Sequence, residues 1–131
     1  MINVFVYGTL KPGESNYGSY CEGLVRSQTL AYTQGNLYNL SLGYPGLTEG
    51  DNQVKGVLLT FSNSDILLSL DQLEDYLEDR PLECNEYYRT LVPVYSLQDE
   101  FLGKAWCYLM TIDKVRQYHG KAIALGWWTS Q

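Results

Sequence analysis

VFVYGTLKPGESNY, residues 4–17, changes character in its middle. The run from Ile2 to Gly8 is almost continuously apolar and β-branched or aromatic. A strand covered on both faces reads this way, whereas a half-exposed strand would alternate. The following KPGESNYGS breaks all periodicity and reads as a loop. Between the two stands Gly8, which has no Cβ and lets the backbone approach another group closely. Where a buried strand ends at such a residue, the next amides lose their ladder partners. The N–H groups of Gly8, Thr9 and Leu10 are therefore candidates to hold a carboxylate or the oxygen of an acyl intermediate. An ordinary strand exit carries the same residues, so the stretch alone leaves both readings open. It lacks the GxxxxGK[ST] spacing of a Walker-type phosphate loop.

Downstream, LVRSQTLAYTQGNLYNL (24–40) reads as two strands or one bent pair, split at Gly35. GYPGLTEGDN (43–52) is dense in Gly and Pro and is expected to be a turn-rich excursion, followed by a strand over 53–61. Gly56 inside that strand marks a bulge or a close approach. Asn63 or Ser64 offers an N-cap for SDILLSLDQLEDYLED (64–79), the one principal helix, with Ile66, Leu70, Leu73 and Leu77 on one face. YYRTLVPVYSL (87–97) is a strand whose Pro93 requires an edge or a bulge. QDEFLG (98–103) is a hairpin turn, KAWCYLMT (104–111) a further strand, and a short helix is expected around 113–119. About six strands and one main helix place the chain in the α+β class. The pattern favours a small, mostly antiparallel β-barrel with the helix packed alongside, and leaves a sandwich open. Residues 1–131 read as a single domain.

The totals exclude several classes. Apolar residues make up 45% and charged residues 18%, which fits a folded globule and not a disordered chain. The formal charge is −6 with no basic stripe, so nucleic acid is not an expected partner. Cys21, Cys84 and Cys107 are odd in number and widely spaced, which argues against a disulfide scaffold and a zinc site. No signal-like segment and no 18-residue apolar run occurs, so the chain is expected in a reducing cytoplasm, away from membranes.

Few side chains are left to carry chemistry. His119 is the only histidine, which rules out a multi-histidine metal site and reads as a surface or turn residue. Cys107 sits between Trp106 and Tyr108 and reads as a packed thiol, while Cys84 lies among acids that raise a thiol pKa. The acids from Glu74 to Glu86 lack the alternating ligand spacing of a calcium loop. An acid–base carboxylate belongs at the border between packing and water. At about 100° per residue the helical stripe spans roughly 60°, and Glu74 lies roughly 60° to one side of its centre. Asp75 points nearly opposite and Asp71 lies further round towards solvent, so Glu74 is the helical acid nearest the core face. A boundary Glu can equally be a solvated flank or half of an ion pair.

VFVYGTLKPGESNY, then LDQLEDY on the helix, YYRTLVPV on a strand and KAWCYL after it, run in an order that resembles the gamma-glutamylcyclotransferase-like family. The resemblance covers nearly the whole chain, from Val4 to the terminal GWW, and Y-G-[TS]-L is its most distinctive element. It implies a compact barrel and a cofactor-free reaction in which a small-molecule γ-glutamyl amide cyclises to 5-oxoproline and releases its amine. It further implies that Tyr7, Gly8, Thr9 and Leu10 line the pocket, that Glu74 is the acid–base residue, and that Tyr108 touches the ligand. Arg89 matches the arginine of Y-x-R, with a pocket-shaping or structural role. Two departures stand out: Asp75 follows Glu74 where the family often has Gly, and the segment before Tyr88 is long enough to cover the pocket. A binding module using the same cavity, or a structural domain whose cavity is filled by Tyr7 and Tyr108, would share these features.

Overall fold

β1 (Ile2–Val6) has neighbours on both edges and apolar packing on both faces. The computed structural model, which describes residues 1–130, places Val4 and Val6 in one buried cluster and Phe5 and Tyr7 in another. The first cluster faces the helices and includes Ile66 and Leu70; the second fills the interior of a barrel with Leu37, Leu47, Val54 and Val94. Two buried faces are what the unbroken apolar run requires.

The remaining elements are α1 (Tyr17–Tyr20), β2 (Val25–Asn39), β3 (Pro45–Phe61), α2 (Ile66–Leu73), a 3₁₀ turn (Leu82–Cys84), β4 (Tyr88–Ser96), β5 (Phe101–Leu109), α3 (Ile112–Gln117) and β6 (Lys121–Ala122). The strands follow the order β3-β1-β5-β4-β2-β6, and a further β2–β3 pairing closes five of them into a ring. That closure excludes the sandwich. Only β1–β5 is parallel; β6 is a two-residue addition on Tyr38 and Asn39 of β2. None of the described helices is long and apolar enough to cross a membrane.

β2 is one strand, bent by a register shift at Gly35–Asn36. The 43–52 segment is not the expected excursion. From Pro45 it is already β3, paired with residues 36–39 of β2. The pairing jumps from Gly35↔Asn52 to Asn36↔Thr48, so only Glu49, Gly50 and Asp51 leave the ladder. Leu47 and Thr48 are buried there, and the gain from burying them keeps the strand going through turn-like residues. Gly35 allows the close crossing, since a Cβ would lie 2.7 Å from Leu47 Cδ1. Pro93 pairs with β5 on one side, beside a shift at Val94–Tyr95. On the other side β2 meets β4 only at Tyr95 and Ser96, and Thr33 Oγ1 donates to Pro93 O at 2.7 Å. β5 begins at Phe101, earlier than expected, after a tight turn in which Asp99 takes a φ of 68°.

The main helix is shorter than its pattern. Ile66 and Leu70 are buried as expected, but α2 ends at Leu73 and Leu77 is exposed. A Schellman motif stops it: Asp75 N–H donates to Gln72 O and Tyr76 N–H to Asp71 O, at 3.3 and 2.9 Å. Asp75 has a φ of 55°, the left-handed conformation that glycine adopts freely.

Gly56 answers to a close approach. A Cβ there would sit 2.3 Å from Val6 O and 2.8 Å from Phe5 Cζ, against the end of β1. Gly56→Ala is expected to destabilise the fold by about 1–3 kcal/mol, as overpacking of a filled core does. Urea denaturation reads this out, and a midpoint equal to wild type would show that β1 can give way.

Candidate active site

The antiparallel ladder of β1 ends at Val6↔Val57, and its contact with β5 is the single pair Val4↔Trp106. No further pair of the two strands is in register. Tyr7 links the two, its hydroxyl donating to Tyr108 O at 2.6 Å. Burial raises the Tyr7 pKa well above its ordinary value, so the phenol stays protonated and keeps this bond. The chain then turns, with Lys11 N–H donating to Gly8 O at 3.1 Å and Asn16 N–H to Thr9 O at 2.9 Å. Gly8 packs on Pro45, whose Cγ would be 2.7 Å from a Cβ. Among the described residues nothing accepts a hydrogen bond from the N–H of Gly8, Thr9 or Leu10.

Lys11 anchors the far side of this turn. Its side chain is buried, donates to Trp128 O, and stands 3.3 Å from the centre of the Trp127 ring. Burial lowers its pKa to about 8, while the Glu14 charge opposes the shift. The terminal Gly-Trp-Trp is thereby tied to the turn, and Trp128 is tied to β2 through Nε1 and Asn39 Oδ1 at 3.0 Å.

Tyr7 to Leu10 line a cavity of ≈ 200 Å³ together with Tyr44, Glu74, Glu86, Tyr87 and Tyr108. That is below the ~300–1,000 Å³ of sites for drug-sized ligands, and suits a small metabolite. Glu74 is the C-cap of α2, so the early stop of the helix turns its side chain into the cavity. No described residue hydrogen-bonds its carboxyl group. Its pKa is pushed up to about 8, first by burial and then by the Glu86 charge. At neutral pH such a carboxyl exchanges a proton readily in either direction.

The segment after α2 folds back on itself. Tyr87 N–H donates to Glu74 O and Glu86 N–H to Asp75 O, at 3.3 and 3.2 Å. Asn85, almost wholly buried, holds the intervening residues by accepting from Leu77 N–H and Arg80 Nε. Of the long segment that could have covered the pocket, only its two ends line it, Asp75 on one side and Glu86 and Tyr87 on the other. Tyr87 Oη donates to Pro45 O at 2.6 Å, and Glu86 accepts from the hydroxyls of Tyr44 and Tyr118.

Six of the seven residues singled out in the sequence, Tyr7, Gly8, Thr9, Leu10, Glu74 and Tyr108, line this cavity together. Arg89 does not. Its guanidinium binds Asp71 Oδ1 and Oδ2 at 2.8 and 3.2 Å and lies 4.5 Å from the Trp106 ring centre. Tyr108 Oη donates to Asp71 Oδ1 at 2.6 Å. Asp71 is therefore not turned to solvent as the helical wheel implied; β4 and β5 cover that flank. The Asp of L-D-x-x-E and the Arg of Y-x-R meet each other and fix the tyrosine that borders the cavity. Cys107 is buried, and His119 is an exposed turn residue with a φ of 55°. Tyr44, Glu86, Tyr87 and Asn16 also line the cavity, and sequence reasoning missed them. They come from irregular segments where no periodicity points to a face; the abundance of Tyr was their one signal.

Comparison with known proteins agrees with this architecture. The family model described as "Gamma-glutamyl cyclotransferase, AIG2-like" matches residues 4–130. A Vibrio cholerae protein, provisionally named a gamma-glutamylcyclotransferase, is 37% identical over 106 residues, 81% of this chain and 79% of that one. The gamma-L-glutamyl-butirosin B gamma-glutamyl cyclotransferase of Niallia circulans is 38% identical over 76 residues, 58% of this chain but only 47% of that protein. The crystal structure of a mouse AIG2-like protein shares the fold, with a TM-score of 0.67 and 24% identity over 84% of this chain and 77% of its own. With nearly the whole chain matched, and a relative above 30% identity over most of both lengths, this chain belongs to the gamma-glutamyl cyclotransferase, AIG2-like family.

Proposed function

We propose that the chain converts a γ-glutamyl amine or peptide to 5-oxoproline and the free amine, with Glu74 as general acid and base. One observation carries the reading: a carboxyl group with its pKa raised to about 8 shares a small cavity with the amides of Gly8, Thr9 and Leu10, none of them partnered among the described residues. The names and sequences of the relatives support it.

The substrate supplies both reacting groups. Its uncharged α-amine attacks its own γ-carbonyl carbon, forming the ring C–N bond. Ionised Glu74 takes the proton that the α-nitrogen gives up as that bond forms. The oxyanion that develops on the γ-oxygen, or the substrate's α-carboxylate, is held by the free amides. The bond to the departing amine then breaks, and Glu74 returns the proton to that nitrogen. The rest of the rate comes from holding a flexible chain folded for ring closure, since the attack is intramolecular. The wall of Tyr7, Tyr87 and Tyr108 supplies the shape for that, and Asp71 with Arg89 keeps Tyr108 still.

Glu74→Gln keeps the size of the side chain and removes the proton exchange. It is expected to lower kcat for 5-oxoproline release by ~10²–10⁴-fold. Undiminished turnover would remove Glu74 from the chemistry, and saturable binding with no wild-type turnover would leave a binding module.

The raised pKa gives two pH signatures. Ionised Glu74 is the base, so kcat/KM should climb as pH rises towards about 8 and level off above it. Stability should run the other way. The folded state holds the proton more tightly than the unfolded chain, so the stabilisation present below pH 4.5 is lost as pH rises through about 8. Glu74→Gln lacks that loss. It should match wild type near pH 4 and exceed it by on the order of 2–4 kcal/mol at pH 9, read by urea denaturation at each pH.

A further inference from the structure

The cavity contains a second carboxyl group that the reaction above does not use. Glu86 lines it, and its position is closely determined. Tyr44 Oη donates to Oε2 at 2.9 Å, Tyr118 Oη donates to Oε1, and the Glu86 N–H is bound to Asp75 O. Tyr44 comes from the turn before β3 and Tyr118 from the end of α3, so separate parts of the chain converge to hold one side chain. A carboxylate offers roughly four acceptor positions, and two tyrosines leave about half of them for something else.

What could fill them follows from the charges around the cavity. Its charged lining residues are Glu74, Asp75 and Glu86; no Lys, Arg or His is among them. Asp75 is already paired with Arg80 at 3.1 Å. Glu74 is withdrawn from water with no hydrogen-bond partner among the described residues, and no cationic side chain in the lining offsets the acidic groups. A leaving amine that carried a carboxylate would meet uncompensated repulsion here. One that carried a further positive charge would be attracted, and more strongly than in bulk water.

We propose that Glu86 is an ammonium-binding subsite that reads a second positive charge on the amine portion of the substrate. The preferred substrate is then a γ-glutamyl derivative of a diamine or of a larger cationic amine. This rests on the cyclotransferase reading for where the γ-glutamyl end lies: its α-amine beside Glu74 and its carboxylate or oxyanion at the Gly8–Leu10 amides. Glu86 is left for the charge further along the molecule. It takes no part in bond making, so its role is selection.

The test compares two ligands that differ only at one end, the γ-glutamyl conjugates of butane-1,4-diamine and of butylamine. Binding is measured by calorimetry to Glu74→Gln, in which turnover is suppressed, and to the same protein carrying Glu86→Gln. The diamine conjugate should bind about tenfold tighter to the first protein, the gain expected of a hydrogen bond to a charged group. The preference should fall within about twofold once Glu86 is neutral. Equal affinities at the outset, a preference that survives Glu86→Gln, or no binding of either conjugate would each overturn the subsite. If Glu86→Gln does not fold, Tyr118→Phe replaces it. Releasing one oxygen of the carboxylate should cut the preference about threefold, and an unchanged preference counts against the proposal. Assay of wild type for 5-oxoproline separates the two readings. No release from either conjugate would overturn the reaction while the binding preference, if seen, would still establish the subsite.

Discussion

The parallel contact between β1 and β5 decides where this molecule has an opening. Every other seam of the barrel is an antiparallel ladder, the longest running between β2 and β3. At the β1–β5 seam only one residue pair, Val4↔Trp106, is in register. Backbone groups leaving a sheet at such a point have no strand to bind, and side chains must make the link. Tyr7 does so through Tyr108 O, while Gly8 lets the chain turn hard against Pro45. The cavity lies where β1 leaves the sheet, lined by residues 5–10 and by Tyr108 of β5, so its location is a consequence of topology.

The cavity's chemistry comes from a second constraint, the short length of α2. A helix continuing through residue 79 would carry Glu74 on its flank, with five helical residues beyond it. The left-handed Asp75 ends it at Leu73 with Glu74 as its C-cap, and the returning segment brings Glu86 and Tyr87 against the same point. Burial and the Glu86 charge then act on a carboxyl that no described residue satisfies, which is destabilising to the fold and useful for proton transfer. The surroundings are stiff by contrast. Asp71, Arg89 and Tyr108 lock the helix to β4 and β5, and Lys11 locks the turn to Trp127 and Trp128.

The sequence was most legible where one physical effect dominated. Unbroken burial marked β1, Gly35 marked the bend in β2, Gly56 marked a bulge or close approach that is the latter, and the boundary position of Glu74 singled it out among the acids. It misled where effects competed. Burial of Leu47 and Thr48 outweighs the turn composition of 43–52, and a Schellman motif overrides an apolar stripe that reaches Leu77. Asp71 looked solvated because a helical wheel has no knowledge of which strands cover its flank. Glu86 and Tyr44 belong to segments without period, and only the folded chain brings them together.

The central claim is that Glu74 keeps its proton until close to neutral pH because of where the chain puts it. The direct measurement is a pH titration of the Glu74 side-chain carboxyl by NMR on protein labelled with ¹³C at glutamate, with Glu74→Gln identifying the signal. The midpoint should fall near 8. A midpoint near 4.5, the ordinary value of a glutamate, would mean that the carboxyl is solvated and would contradict the account.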